Sequence, residues 1–192
     1  SQALLDEDSH VLYEGDDRHA LLQRLTSDAR SRQLIAAPVL VCTVDHLTPA
    51  TESLRGGRQI APMLRLMTGD LVLDEPDDFD LADLPALTRL VHWAGLLGSR
   101  VLLSSATLPP ALVQGLFEAY RNGRMHWQRN RGERPDEIPR IACLWVDEFN
   151  RSHAECADIT AFKPAHEAFA KARDARLSAA KPRRIAELLP VS

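Results

Sequence analysis

The sequence predicts an α/β fold in which a parallel sheet is flanked by crossover helices. Three short apolar segments, residues 39–44 (VLVCTV), 71–74 (LVLD) and 101–105 (VLLSS), lack polar alternation, which is typical of strands buried on both faces of a parallel sheet. The intervening segments, 49–67 and 81–97, are long enough for crossover helices. This alternation of strand and helix favours a doubly wound sheet.

Helices are also expected before the first strand and after the third. Residues 17–34 carry leucines near helical spacing and predict an amphipathic helix. Gly69 and Gly98 stand where the crossover helices should end. Residues 110–121 predict a helix that follows the third strand.

The last third of the chain is expected to be mainly helical. After Gly123 we expect a connecting loop, then a strand in residues 141–149 (IACLWVDEF). An alanine-rich helix is predicted in residues 164–189, interrupted at Pro182.

Composition indicates an ordinary globular protein. The chain has 192 residues, of which 45% are hydrophobic, and a formal net charge of -4. Because this charge gives no overall basic bias, any contact with nucleic acid must come from a local patch. The chain starts with Ser1 and no Met, which predicts that it begins inside a longer polypeptide.

Cysteine usage and hydropathy predict a cytoplasmic protein. The three cysteines are widely spaced and form no C-x-x-C pair, which favours neither a disulfide framework nor a zinc site. No run of eighteen apolar residues exists, and the first residues (SQALLDEDSH) are acidic. We therefore expect neither membrane insertion nor secretion.

Polar side chains follow all three predicted strands. The carboxyl ends of parallel strands share one edge of a sheet, where ligands gather, so these side chains should converge. An alternative is that they only cap the helices that follow. The residues are Thr43, Asp45 and His46, then Asp74 and Glu75, then Ser105 and Thr107.

Asp74 and Glu75 predict a site for metal-assisted phosphoryl transfer. One carboxylate at a rigid strand end can bind a hydrated Mg²⁺ while its neighbour orients a water. Asp78, Asp80 and Asp83 are interpreted as a solvated loop and helix start rather than as further ligands. A metal nuclease built on the carboxylates of this segment is an alternative.

The segment 125–140 (MHWQRNRGERPDEIPR) mixes aromatic and basic side chains. Together with Arg124, Trp127 could form a loop that binds single-stranded DNA, since bases stack on aromatic rings beside cationic groups. The alternative is a plain connecting loop.

Two motifs carry a resemblance to a known family. LVLDEPDD (71–78) resembles motif II, the Walker B or DEAD-type box, of superfamily 2 helicases, and SSATLPP (104–110) resembles their motif III. VCTVDHLTPAT (41–51) is similar to the segment before motif II in the helicase-nucleases of type I CRISPR systems. D-E-P-D-D is most similar to the type I-F branch, whose effector is fused to an adaptation subunit.

The resemblance implies a RecA-like lobe, incomplete in this chain. Residues 1–122 would be the later part of lobe 1, and residues 123–192 a linker, a strand and a helical segment leading toward a second lobe. ATP and Mg²⁺ are the implied cofactors.

The resemblance also implies roles for single residues. Asp74 would hold the Mg²⁺ of Mg-ATP through its water molecules, and Glu75 would act as general base. Asp77 would hydrogen-bond toward the coupling triplet, whose members are Ser105, Ala106 and Thr107. Pro76 replaces the Ala of many relatives and would stiffen the turn.

The implied partners are single-stranded DNA and the RNA-guided surveillance complex of the type I-F system. The spacer-acquisition integrase and an anti-CRISPR inhibitor protein are further partners that the resemblance suggests. Thr43 and His46 would lie near the DNA path, although His46 is also interpreted as an ordinary helix-start residue.

The sequence departs from the family pattern in three respects. It contains no G-x-x-x-x-G-K-[ST] phosphate loop, no arginine-finger motif and no His-Asp nuclease signature. These departures leave a second interpretation open, in which the chain is a non-catalytic lobe that serves as a protein-docking module.

Overall fold

The computed structural model describes residues 23–24, 27–52 and 59–180. It divides the chain into two compact units, one ending at Pro139 and the other beginning at Arg140. The sequence places the corresponding boundary after residue 122, within a helix of the first unit.

Residues 23–24 are helical, and helix α1 spans Ala29–Ala36. Its N-cap is Asp28, whose carboxylate accepts a hydrogen bond from the backbone N–H of Ser31 at 2.9 Å. The prediction of one continuous helix over 17–34 is wrong at this point, because the chain bends at Ser27 and a new helix starts after the cap. Residues 17–22 and 25–26 lie outside the described residues.

The predicted strand at 39–44 is also wrong. This segment pairs with no other strand in the described part of the chain. Its last residue begins the short 3₁₀ helix Val44–His46, and a second 3₁₀ helix, Thr48–Thr51, follows. Val39 and Val41 are exposed. An apolar segment becomes a strand only when a neighbouring backbone completes its hydrogen bonds.

A strand–helix–strand unit forms the centre of the first unit, as predicted. The strands β1 (Leu71–Asp74) and β2 (Val101–Ser104) pair in parallel, with Leu71 opposite Val101 and Asp74 opposite Ser104. Helix α2 (Ile60–Thr68) precedes β1, and α3 (Leu84–Leu97) connects the two strands.

The expected helix ends are confirmed. Gly69 is the C-cap of α2. Gly98 ends α3 in the left-handed conformation, with a φ of 92°, that glycine adopts without a steric penalty.

The two strands are buried on one face only, which corrects the expectation of burial on both faces. Leu71 and Leu73 point into the core, whereas Val72 and Leu102 are 59% and 57% exposed. The RecA-like lobe stays a prediction. The core of this unit is built from Leu66, Leu71, Leu73, Leu87, Leu90, Val91, Ala94 and Leu116.

Helix α4 spans Pro110–Arg131, ten residues beyond its predicted end. Gly123 was expected to open a loop, but it lies inside α4 at the crossing with α3. A Cβ atom on Gly123 would lie 2.1 Å from the carbonyl oxygen of His92 and 2.7 Å from the nitrogen of Leu96. The glycine therefore permits close helix packing and does not end the helix.

The second unit is a β-hairpin followed by a helix. Strands β3 (Ile141–Val146) and β4 (Arg151–Cys156) pair antiparallel, and α5 spans Ile159–Ala179. The sequence predicts β3 but misses β4, whose residues RSHAEC are mostly polar. It also predicts the helix, which begins five residues before the expected residue 164. The interruption predicted at Pro182 lies outside the described residues. None of the described helices is both long and apolar enough to cross a bilayer.

Candidate functional site

The predicted convergence of polar strand ends is confirmed for two of the three segments. Asp74 and Ser104 are direct neighbours at the ends of the parallel strands β1 and β2. Glu75 and Ser105 follow them. The acidic box (residues 74–77, DEPD) and the Ser-Ala-Thr triplet (residues 105–107) therefore leave the same edge of the sheet. This proximity is set by the parallel register.

Glu75 has an unusual backbone conformation. Its φ and ψ are 46° and 54°, in the left-handed region that is uncommon for side chains with a Cβ atom. Its N–H donates to the carbonyl oxygen of Ser104 at 2.7 Å, which extends the strand pairing by one bond. The next residue, Pro76, is fully buried and begins the 3₁₀ turn Pro76–Asp78.

Asp77 joins the acidic box to the triplet. The hydroxyl of Thr107 donates to Asp77 Oδ2 at 2.6 Å, and the N–H of Thr107 donates to Ser105 Oγ at 3.0 Å. Hydrogen bonding by the hydroxyls of Ser105 and Thr107 holds the pKa of Asp77 below its ordinary value. The hydrogen bond expected between box and triplet is thus present, and Ala106 links its two polar neighbours.

An open depression of about 350 Å³ lies beside the acidic box. Its walls are Asp74, Glu75, Asp78, Phe79, Asp80 and Asp83. All five carboxylates are on exposed residues, so water and counterions can reduce their mutual repulsion.

The carboxylates around this depression fit one mode of Mg²⁺ binding. No three His, Cys, Asp or Glu side chains within the described ranges are grouped to hold a metal by themselves. Mg²⁺ in phosphoryl-transfer sites usually takes one or two carboxylates and completes its octahedron with water and substrate phosphates. An exposed Asp74 at a rigid strand end fits that mode of binding.

Asp78, Asp80 and Asp83 lie where the sequence predicts them. All three are exposed in the turn and loop after β1, and Asp83 immediately precedes α3. Negative charge is favourable at the start of a helix, which accounts for Asp83 without a ligand role.

Thr43 and His46 contact each other rather than the acidic box. Thr43 Oγ1 and His46 Nδ1 are 3.0 Å apart, and Thr43 precedes the 3₁₀ helix that contains His46. Asp45 lines a smaller depression of about 240 Å³ together with Phe79 and Asp83. Of the three polar residues predicted in this segment, Asp45 lines this depression. A contact of Thr43 and His46 with DNA stays a prediction.

Arg124 and Trp127 lie on helix α4 and not on the expected loop. The guanidinium carbon of Arg124 lies 4.0 Å from the centre of the Trp127 ring, which is a cation–π contact. The indole packs so closely on Gly98 that a Cβ atom there would lie 2.6 Å from its Nε1. Their contacts in this structure are internal to the α3–α4 pair, and their binding to DNA stays a prediction.

Two features of the site have no signal in the sequence. The left-handed conformation of Glu75 occurs at a residue that is neither Gly nor Asn, the residues that usually mark such positions. Phe79 lines both depressions, yet its sequence context is only acidic.

Comparison with known proteins shows similarity along the whole chain. No family model matches. The chain is 57% identical over 192 residues to a CRISPR-associated nuclease/helicase Cas3 of subtype I-F/YPEST from Pseudomonas aeruginosa, and 53% identical over 191 residues to the protein so named from Pectobacterium atrosepticum. These matches include 100% and 98% of this chain but only 18% and 17% of the relatives. The chain therefore spans less than a fifth of the curated relatives it matches, and it belongs to the family of CRISPR-associated helicase-nucleases of subtype I-F.

Proposed function

We propose that this chain provides the ATP-hydrolysing motifs II and III of a cytoplasmic helicase-nuclease that degrades foreign DNA in type I-F CRISPR interference. The relatives carry the name nuclease/helicase over a length more than five times that of this chain. Activity therefore belongs to the full-length protein.

The hydrogen bond between Thr107 and Asp77 carries the proposal. Its length is 2.6 Å, and it connects the two polar segments that leave neighbouring strands. A ligand that moves the acidic box would thereby move the triplet as well. Such a connection suits an enzyme that couples ATP hydrolysis to movement on DNA.

Asp74 is the residue that would hold Mg²⁺ with ATP. The cation would neutralise charge that develops on the phosphate oxygens. Glu75, one residue farther along, would accept a proton from the attacking water and orient it. Both carboxylates face the open depression, so ATP phosphates could reach them from solvent.

The proposed macromolecular substrate is single-stranded DNA, displaced by the RNA-guided surveillance complex. In such systems guide pairing reads the sequence, so this chain would contact the backbone and bases without sequence preference. Thr43, His46, Arg124 and Trp127 are the proposed contacts. The spacer-acquisition integrase and an inhibitor protein are further proposed partners.

The first test is Glu75→Gln in the full-length protein. Loss of a general base typically lowers a rate by about 10²–10⁴-fold, so DNA-stimulated ATP hydrolysis should fall by at least about a hundredfold. Binding of ATP and Mg²⁺ should persist, because Asp74 is intact. Steady-state hydrolysis and equilibrium nucleotide binding measure the two effects.

Glu148→Gln is the matched control. Asp147 and Glu148 repeat the acidic strand ending after β3, but Glu148 pairs with Arg173 at 3.3 Å and no Ser-Ala-Thr triplet follows. Hydrolysis should be unchanged in this variant. Undiminished hydrolysis by Glu75→Gln would refute its role as the base, and a full-length protein that binds no ATP would favour the docking-module interpretation.

A further inference from the structure

The backbone at Glu75 is held in a high-energy conformation by contacts on both sides. Glu75 is the one non-glycine residue with a positive φ in the described part of the chain. Strain of this kind persists only where the surrounding structure enforces it, and it is often found at functional sites.

A left-handed residue can relax toward the extended region or toward the right-handed helical region. Relaxation to the extended region would disturb two bonds: Glu75 N–H to the Ser104 carbonyl at 2.7 Å, and Asp78 N–H to the Glu75 carbonyl at 3.1 Å. The right-handed region is disfavoured for any residue that precedes a proline, because the proline ring collides with its backbone.

We propose that Pro76 is a positioning residue for the carboxylate of Glu75. It blocks relaxation of Glu75 to the right-handed region, and its ring is fully buried, which fixes the turn against the core. The carboxylate of Glu75 therefore stays directed at the depression that it shares with Asp74. This inference rests on the proposed function, since it assigns Glu75 the role of base.

Pro76→Ala in the full-length protein tests the proposal. Alanine lacks the ring that disfavours the right-handed conformation of Glu75, so part of the molecules should hold the base away from its position. The restriction that a proline imposes on a flexible chain changes a folding equilibrium by about two- to fivefold. We therefore expect kcat of DNA-stimulated ATP hydrolysis to fall by about that factor or more. The KM for ATP should stay constant, because Asp74 does not depend on the conformation of residue 75. Pro85→Ala is the matched control, since Pro85 is exposed and also lies in the first turn of a helix.

A double-mutant cycle separates positioning from a loss of folding. When the base is already absent, its orientation no longer matters, so Pro76→Ala should change residual hydrolysis little in a Glu75→Gln background. A wild-type kcat in Pro76→Ala, an equal loss in Pro85→Ala, or a full additional loss in the double variant would each overturn the proposal. Failure of the proposed function is recognised separately, by Glu75→Gln retaining its activity.

Discussion

The hydroxyl groups of Ser105 and Thr107 determine how readily Asp77 takes up a proton. They lower the pKa of Asp77 by hydrogen bonding to its ionised carboxylate. Because this pKa is lower in the folded state, the interaction stabilises the fold above the unfolded-state pKa. The stabilisation is lost as the pH falls through the folded-state pKa.

Thr107→Val should therefore loosen the turn after β1 at neutral pH. Valine keeps the shape of threonine but cannot donate to Asp77. Hydrogen exchange of a peptide covering residues 71–80 in the full-length protein should become faster than in wild type. The difference should shrink in acid, where Asp77 is protonated in both proteins.

Thr107→Ser is the matched control, because it retains the hydroxyl. Its exchange should equal that of wild type at neutral pH. Equal acceleration in the serine and valine variants would contradict the role of the hydrogen bond, because serine keeps the hydroxyl that donates to Asp77.

At the scale of elements, two glycines set the distance between α3 and α4. A Cβ atom on Gly95 would lie 2.4 Å from the carbonyl oxygen of Tyr120, and one on Gly123 would lie 2.1 Å from that of His92. In the sequence alone Gly123 resembles a helix stop, because only the position of the partner helix reveals the close contact. The strand–helix–strand order, in contrast, follows from local patterns and was predicted correctly.

Gly123→Ala should destabilise the α3–α4 pair. Its new methyl group meets backbone atoms, which cannot rotate away, and overpacking typically costs about 1–3 kcal/mol or more. Gly115→Ala in the same helix is the matched control. Apart from the adjacent backbone of its own helix, no atom lies within 4 Å of its added Cβ. Replacing this glycine should therefore stabilise the helix by about 0.5–1 kcal/mol.

Hydrogen exchange of peptides from α3 and α4 in the full-length protein measures both changes. Protection should fall in Gly123→Ala and rise or stay constant in Gly115→Ala. Equal protection in the two variants would contradict the packing argument.

Over the whole molecule, the sequence predicts local elements and motif pairs better than it predicts which strands find partners. The strands β1 and β2 were predicted from apolar segments, and the hydrogen bond between Asp77 and the triplet was implied by the resemblance of two motifs. Two outcomes differ from the prediction: segment 39–43 pairs with no strand in the described part of the chain, and β4 forms beside β3 although most of its residues are polar. Strand formation depends on the neighbouring strand as well as on the segment's own residues. The conformation of Glu75 is likewise determined by its surroundings.

At the scale of the whole molecule, the second unit has buried residues of its own. In the second unit His166 is buried, stacks on Phe162 at 5.7 Å, and accepts a hydrogen bond from Trp145 Nε1 at 3.1 Å through Nδ1. Burial lowers the pKa of His166 from its ordinary value of 6.5. A protonated imidazole could not accept the bond from Trp145.

The second unit should therefore lose stability as the pH falls below 6.5, the unfolded-state pKa of His166. In that range the unfolded state binds a proton before the folded state does. Hydrogen exchange of peptides within 141–179, corrected for intrinsic rates, should show falling protection in the full-length protein. His166→Phe cannot titrate, so its protection should depend less on pH, whereas peptides from α3 and α4 should respond alike in both proteins. An equal pH response of the second unit with and without His166 would assign the effect to other groups.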